Sequence, residues 1–193
     1  MVQTDLFGHP VADQVSQEGE YVVALCDADR EGRISRCEWL MRHVPSYEGI
    51  LTDEEDALML HELIDCFILR QYVSCIILAD SILERHLHNI LLRRGVRKNG
   101  GFGQIIKALE KIDTPISPLL PKISHLHKVR VNFSHQKDAL HPYRLFRRSV
   151  AERTHVALLL ERDARDAVTL AYNVMIRLPK EFATLVEALG GER

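Results

Sequence analysis

"TDEEDALMLHELIDCFILRQYVSCIILADSILERHLHNILLRRG", residues 52–95, decides the fold. Apolar side chains return at three- and four-residue intervals along its whole length, the period of an α-helix rather than the two-residue alternation of a strand. Thr52, followed three residues later by Glu55, reads as a capping box, and the acidic Asp53, Glu54 and Asp56 suit the positive end of a helix dipole. Leu58, His61, Ile64, Cys66 and Phe67 predict an inward face for the first half. The polar pair Arg70-Gln71 predicts a break into two helices. Beyond it Ile77, Ile82, Leu83, Leu87, Ile90 and Leu91 carry a second apolar stripe. Gly95 closes that helix, and Arg93 and Arg94 complement its negative end.

Outward from this core the same period continues. Upstream, "ISRCEWLMRHV" places Ile34, Cys37, Met41 and Val44 at helical spacing, with Pro45 and Gly49 closing a short helix. Residues 1–20, rich in Gly, Pro, Gln, Ser and Asp, predict a mobile N-terminal tail. Downstream, "VRKNGGFG" is a loop by its glycines, "QIIKALEKI" a short helix and "DTPISPLLP" a connector punctuated by prolines. A helix then runs from about Pro121 into "KVRVNFSHQ" (128–136). After "KDALHPY", the stretch "SVAERTHVALLLERDARDAVTLAYNVMIRL" predicts one long helix stopped by Pro179, and "KEFATLVEAL" a last short one. No strand-turn-strand pattern occurs. The expectation is an all-α domain over 21–193, a bundle of five or six helices.

Bulk properties limit the function classes. The 193 residues are 46% hydrophobic and 27% charged, proportions of an ordinary globular chain. No apolar run is long enough to span a bilayer, and the N-terminus lacks the basic and apolar segments of a signal peptide, so a cytoplasmic protein with no membrane association is expected. Cys26, Cys37, Cys66 and Cys75 show no CxxC spacing and read as reduced core residues. The net charge of −2 conceals an asymmetry: residues 1–84 carry −12, residues 85–153 carry +11 and the remainder −1. A basic segment of that size suits a polyanion, or the acidic half of a second copy.

Several motifs compete for chemistry. "YVVALCDADREGR" has the Asp-x-Asp-Arg-Glu-Gly of a Toprim metal site, but that fold needs a parallel sheet that nothing else in the chain supplies, so a charged loop or helix start is expected. The pairs His86/His88 and His125/His127 sit two residues apart, which on a helix points them about 200° apart and away from a shared metal. Glu152-x-x-His155 has di-iron spacing without the companion motifs. No metal or other cofactor is expected. In "KVRVNFSHQ", by contrast, Arg130 offers a planar charged fork suited to phosphate oxygens and His135 a group able to exchange protons near neutrality. Asn132 and Ser134 add neutral hydrogen-bonding groups between them. RNA cleavage uses the neighbouring 2′-hydroxyl as nucleophile, so a base and a cation form a minimum set. Residues five apart diverge by about 140° on a straight helix, so Arg130 and His135 share a phosphate only if the helix ends between them or a second copy contributes.

Arg130-Val131-Asn132-Phe133-Ser134-His135 resembles the Arg-x4-His signature of HEPN domains, all-α modules of bacterial toxins, phage-defence proteins and CRISPR-associated ribonucleases. "QYVSCIILADSILERHLHNIL" is similar to an upstream HEPN helix, and the likeness spans about residues 53–178. Where many catalytic members have a polar residue after the arginine this chain has Val131, and where certain toxins have a tyrosine two residues after the histidine it has Lys137. The resemblance implies a metal-independent endoribonuclease acting as a homodimer, with His135 as acid/base, Arg130 as phosphate stabiliser and Asn132 as a positioning group. Lys128, Lys137, Arg144, Arg147 and Arg148 would hold the RNA backbone, and toxin-type members imply an antitoxin as partner. It leaves open a non-catalytic regulator or adaptor of the mannitol-operon-repressor type. Separately, "QTDLF" resembles the Gln-x-[Asp/Ser]-Leu-Phe peptide that docks on the bacterial sliding clamp; Gln3, Asp5, Leu6 and Phe7 would then bind that partner.

Overall fold

The computed structural model describes residues 28–44, 54–96, 100–135, 138 and 140–190, with side chains described as far as 177. Among the described residues every regular element is helical: α1 Arg30–His43, α2 Glu54–Ile68, α3 Tyr72–Arg93, α4 Phe102–Leu109, α5 Leu120–Ser134, α6 Leu145–Glu152 and α7 Val156–Gly190, with a 3-10 turn at Ser117–Leu119 before α5. The all-α class is as the periodicity predicts, with seven α-helices in place of five or six. None is long and apolar enough to cross a membrane.

The chain divides into two units, residues 1–40 and 41–193. In the first, the described part of the Asp-x-Asp-Arg-Glu-Gly stretch is a helix start: Arg33 N–H donates to the Asp29 carbonyl at 2.9 Å, and the Arg36 guanidinium pairs with the Asp29 carboxylate. The buried side chains of α1 are Arg36 and Leu40, whereas Ile34 and Met41 of the expected stripe are exposed.

In the second unit α3 is the central helix, packed against α2, α4, α5 and α7. Its buried side chains, among them Cys75, Ile76, Ala79, Ile82, Leu83, Leu87, Ile90 and Leu91, form one stripe about half the helix circumference wide, broader than the roughly 100° stripe of a surface helix. Each large side chain removed from water there contributes roughly 1.5–3 kcal/mol. Small Ala164, Ala167 and Ala171 of α7 are fully buried, and the Cys75 thiol lies 3.9 Å from the Ala164 carbonyl, which places α3 against α7.

Two local expectations shift. In α2 the inward residues are Asp56, Leu60, Leu63 and Phe67, while Leu58 and His61 face solvent. The apolar surface of α2 is wide enough to pack in more than one rotation. Asp56 decides it by turning to α3, where its carboxylate lies 3.3 Å from Arg85 Nε and from His86 Nε2. The long helix expected over 149–178 is two: α6 ends at Glu152, and α7 starts at Val156. Arg153 between them is left-handed, with φ 51°. Nor does Pro179 stop α7. A proline removes one N–H and kinks a helix, at about 3 kcal/mol, without forbidding the helical φ.

Candidate functional site

Helix α5 is built by Leu120, Ile123, Leu126 and Val129, buried at three-residue spacing, with Pro121 in its first turn where a missing N–H costs nothing. The helix ends at Ser134, and His135 is extended (φ −132°, ψ 136°) while its N–H still donates to the Val131 carbonyl at 3.1 Å. Asn132 Nδ2 donates to the Lys128 carbonyl at 2.6 Å and Ser134 Oγ to the Arg130 carbonyl at 3.3 Å. Such i−4 back-bonds compete with the backbone ladder and favour a helix end. The amide and hydroxyl between the cation and the ring thus shape the terminus.

Ending the helix there brings Arg130 and His135 together. Both line a groove of about 460 Å³ with His127, Val131 and Glu84, and with the start of α4 at Gly101, Phe102 and Gly103 followed by Gln104 and Lys107. The first amides of a helix have no intrahelical acceptor and carry the positive end of its dipole, so the start of α4 favours an anion. Added β-carbons at Gly101 and Gly103 would meet nothing within 4 Å, so the backbone there is open to approach. Lys107 and Arg130 supply formal positive charge, and Glu84 opposes it from the rim.

Behind the groove lies Asp80, 1% exposed. Its Oδ2 accepts from His127 Nδ1 at 3.1 Å and faces Arg130 Nε at 3.5 Å, close enough for charge pairing though not directed as a hydrogen bond. A guanidinium with Nε so engaged still has two terminal amino groups to offer another acceptor. Phe102 sets its ring edge-on to His127, centroids 4.9 Å apart.

The other expected residues fall elsewhere. Asn132 lines a different groove of about 340 Å³ with Phe133, Arg144, Leu145, Phe146 and Val156, so within one chain it does not share a phosphate with Arg130 and His135. Lys128 is exposed, its ammonium 5.9 Å from the centre of the Tyr143 ring; Arg144 and Arg147 are also exposed. Arg148 is the exception to its expected role: it is buried and forked onto Asp163, at 2.6 and 2.8 Å, so its charge already has a carboxylate partner. Lys137 and the clamp-like residues Gln3, Asp5, Leu6 and Phe7 lie outside the described residues.

No sequence motif marks Asp80, His127, Lys107, Gly101 or Gly103 as a site residue. The available signal was Asp80 itself, an acid spaced four residues after Ile76 and three before Leu83 on a core-facing stripe. The described residues bring no three His, Cys, Asp or Glu side chains into a cation-binding group. No family model, curated protein or solved structure matches this chain.

Proposed function

We propose that the chain is a HEPN-type endoribonuclease that cleaves RNA by internal transesterification and acts as a homodimer. The observation that carries this reading is the convergence of Arg130 and His135 on one groove despite their five-residue separation. Phosphodiester cleavage by a neighbouring 2′-hydroxyl needs proton transfer and stabilisation of a crowded, doubly charged phosphorane, and an imidazole beside a guanidinium supplies both without a metal. The start of α4 and Lys107 add anion-binding groups on the facing wall.

The test is purified protein on structured RNA in excess chelator. Cleavage should persist, leave 2′,3′-cyclic phosphate ends, and fall about 10²–10⁴-fold in His135→Ala. Unchanged activity in His135→Ala would sink the proposal.

A second reading, a non-catalytic regulator or adaptor with the same bundle, is favoured by one contact: Arg130 reaches the buried Asp80 and so ties α5 to α3. On that reading no RNA is turned over, and Arg130→Ala lowers the melting temperature. Arg130→Lys separates the two, since lysine keeps the charge but loses the planar fork. A ribonuclease loses rate in Arg130→Lys with its fold intact.

A further inference from the structure

We infer that His127 is a second catalytic residue of the groove and acts as the base, leaving His135 to act as the acid. The inference rests on the ribonuclease reading and extends it from one imidazole to two.

The argument begins with the tautomer. An ionised carboxylate can only accept, so the 3.1 Å contact to Asp80 Oδ2 places the proton of a neutral His127 on Nδ1. Imidazole geometry then leaves Nε2 with its lone pair, on the ring edge turned away from Asp80, and His127 lines the groove. The ring is held on two sides, by the buried carboxylate and by the edge contact with Phe102. A carboxylate behind a histidine that lines the reactive space, with its second nitrogen left free, is the arrangement that fixes a general base. His135 differs: it is exposed, at the helix end, with its backbone extended. The titratable and charged groups facing His127 are Asp80 and Glu84 from α3, Lys107 from α4, and Arg130 and His135 from α5 and its end.

The step balances within the groove. His127 Nε2 removes the 2′-hydroxyl proton as the O2′–P bond forms. The P–O5′ bond breaks, and O5′ takes a proton from the His135 imidazolium. The products are a 2′,3′-cyclic phosphate and a 5′-hydroxyl, with no co-reactant consumed. Arg130 faces the phosphoryl oxygens throughout.

His127→Ala would strip the buried Asp80 of a partner, and Asp80 Oδ1 already has no hydrogen-bond partner among the described residues. His127→Asn is the better variant, because its amide can donate where Nδ1 does but cannot take up a proton. It is compared with His135→Ala on two dinucleotides, one natural and one with sulfur in place of the 5′ bridging oxygen. A thiolate leaves without being protonated, so the sulfur substrate bypasses the acid. His135→Ala should be slow on the oxygen substrate and near the wild-type rate on the sulfur one. His127→Asn should be about 10²–10⁴-fold slow on both. If His127→Asn melts below the assay temperature, His127→Gln is measured in its place with the same expectations. Wild-type activity of the variant on the oxygen substrate would overturn the role of His127 and leave the ribonuclease reading standing. Recovery of the variant on the sulfur substrate would make His127 the acid and overturn the assignment. A wild-type protein that cleaves neither substrate would overturn both readings together.

Discussion

Among the described residues, three helices close through a residue in the left-handed region, and one of the three is glycine. At the end of α3, Gly95 (φ 71°) donates to the Leu92 carbonyl and Val96 to that of Leu91, each at 3.0 Å. This crossed pair satisfies carbonyls that the helix end would otherwise leave open. The same pattern recurs at Arg70 (φ 61°), where Gln71 N–H reaches the Cys66 carbonyl at 2.8 Å, and at Arg153 (φ 51°), where Thr154 N–H reaches that of Ser149 at 3.0 Å. A side chain in this conformation costs roughly 1–2 kcal/mol, partly offset because glycine loses more freedom on folding. Arg153→Gly should therefore raise stability by about 0.5–1 kcal/mol, read as a higher denaturation midpoint in urea with unchanged slope. Gly95→Ala should lower it by about 1 kcal/mol, although its new β-carbon meets nothing within 4 Å. An unchanged midpoint in Gly95→Ala would show that the closing turn carries no strain.

At the scale of elements, α6 is held to α7 by charge rather than by a broad apolar face, since Phe146 and Val150 are exposed and Arg148 is the buried residue of α6. Arg148 grips Asp163 through two bonds, and Glu152 receives Arg162 at 2.6 Å. Removing one member of a buried pair strands the other, at about 3–5 kcal/mol. Arg148→Ala and Asp163→Ala should each lose that much, whereas Arg148→Met with Asp163→Leu should lose far less; equal losses in the double variant would refute the desolvation argument. The neighbouring pair predicts a pH effect. The hydrogen bond from Arg162, assisted by the charges of Arg162 and Arg148, holds the Glu152 carboxyl below its ordinary value of 4.5 despite partial desolvation. A lowered folded value means that the contribution of Glu152 is complete above about 4.5 and fades as pH falls through the lower value. Glu152→Gln should flatten that part of the acid limb in a melting-temperature profile.

For the whole molecule, the arrangement of Arg130 and His135 bears on how copies would cooperate. If each groove is complete within its own chain, a dimer mixing Arg130→Ala and His135→Ala chains contains one groove lacking the cation and one lacking the imidazole. Mixing the two inactive variants should then restore no cleavage. Partial recovery would mean that grooves are assembled from two chains. On the ribonuclease reading, the +11 of residues 85–153 adds a second expectation, that RNA affinity falls steeply with salt. Lys107→Ala should reduce the slope of log affinity against log salt by about one phosphate contact, measured by fluorescence anisotropy; an unchanged slope would take Lys107 out of contact with the backbone.

What the sequence by itself determined is what local chemistry controls. Helical periodicity specifies the all-α class, the Arg70-Gln71 break follows from two polar residues in an apolar run, and Gly95 marks its helix end because it tolerates a positive φ. Tertiary structure decided which way each helix turned. The broad apolar surface of α2 left Leu58 in solvent, since burial of Leu60, Leu63 and the Asp56 carboxylate outweighed the alternative rotation. It also decided which charges were available. Arg147 and Arg148 are adjacent and identical in type, yet one is exposed and the other is clasped by Asp163, fifteen residues away in sequence. The candidate site followed the same division. The motif from Arg130 to His135 could be read directly, but its partners Asp80 and His127 are forty-seven residues apart and meet only because α3 packs against α5. No local pattern encodes that meeting, because a buried acid on an apolar stripe states its need for a partner without stating which residue will fill it.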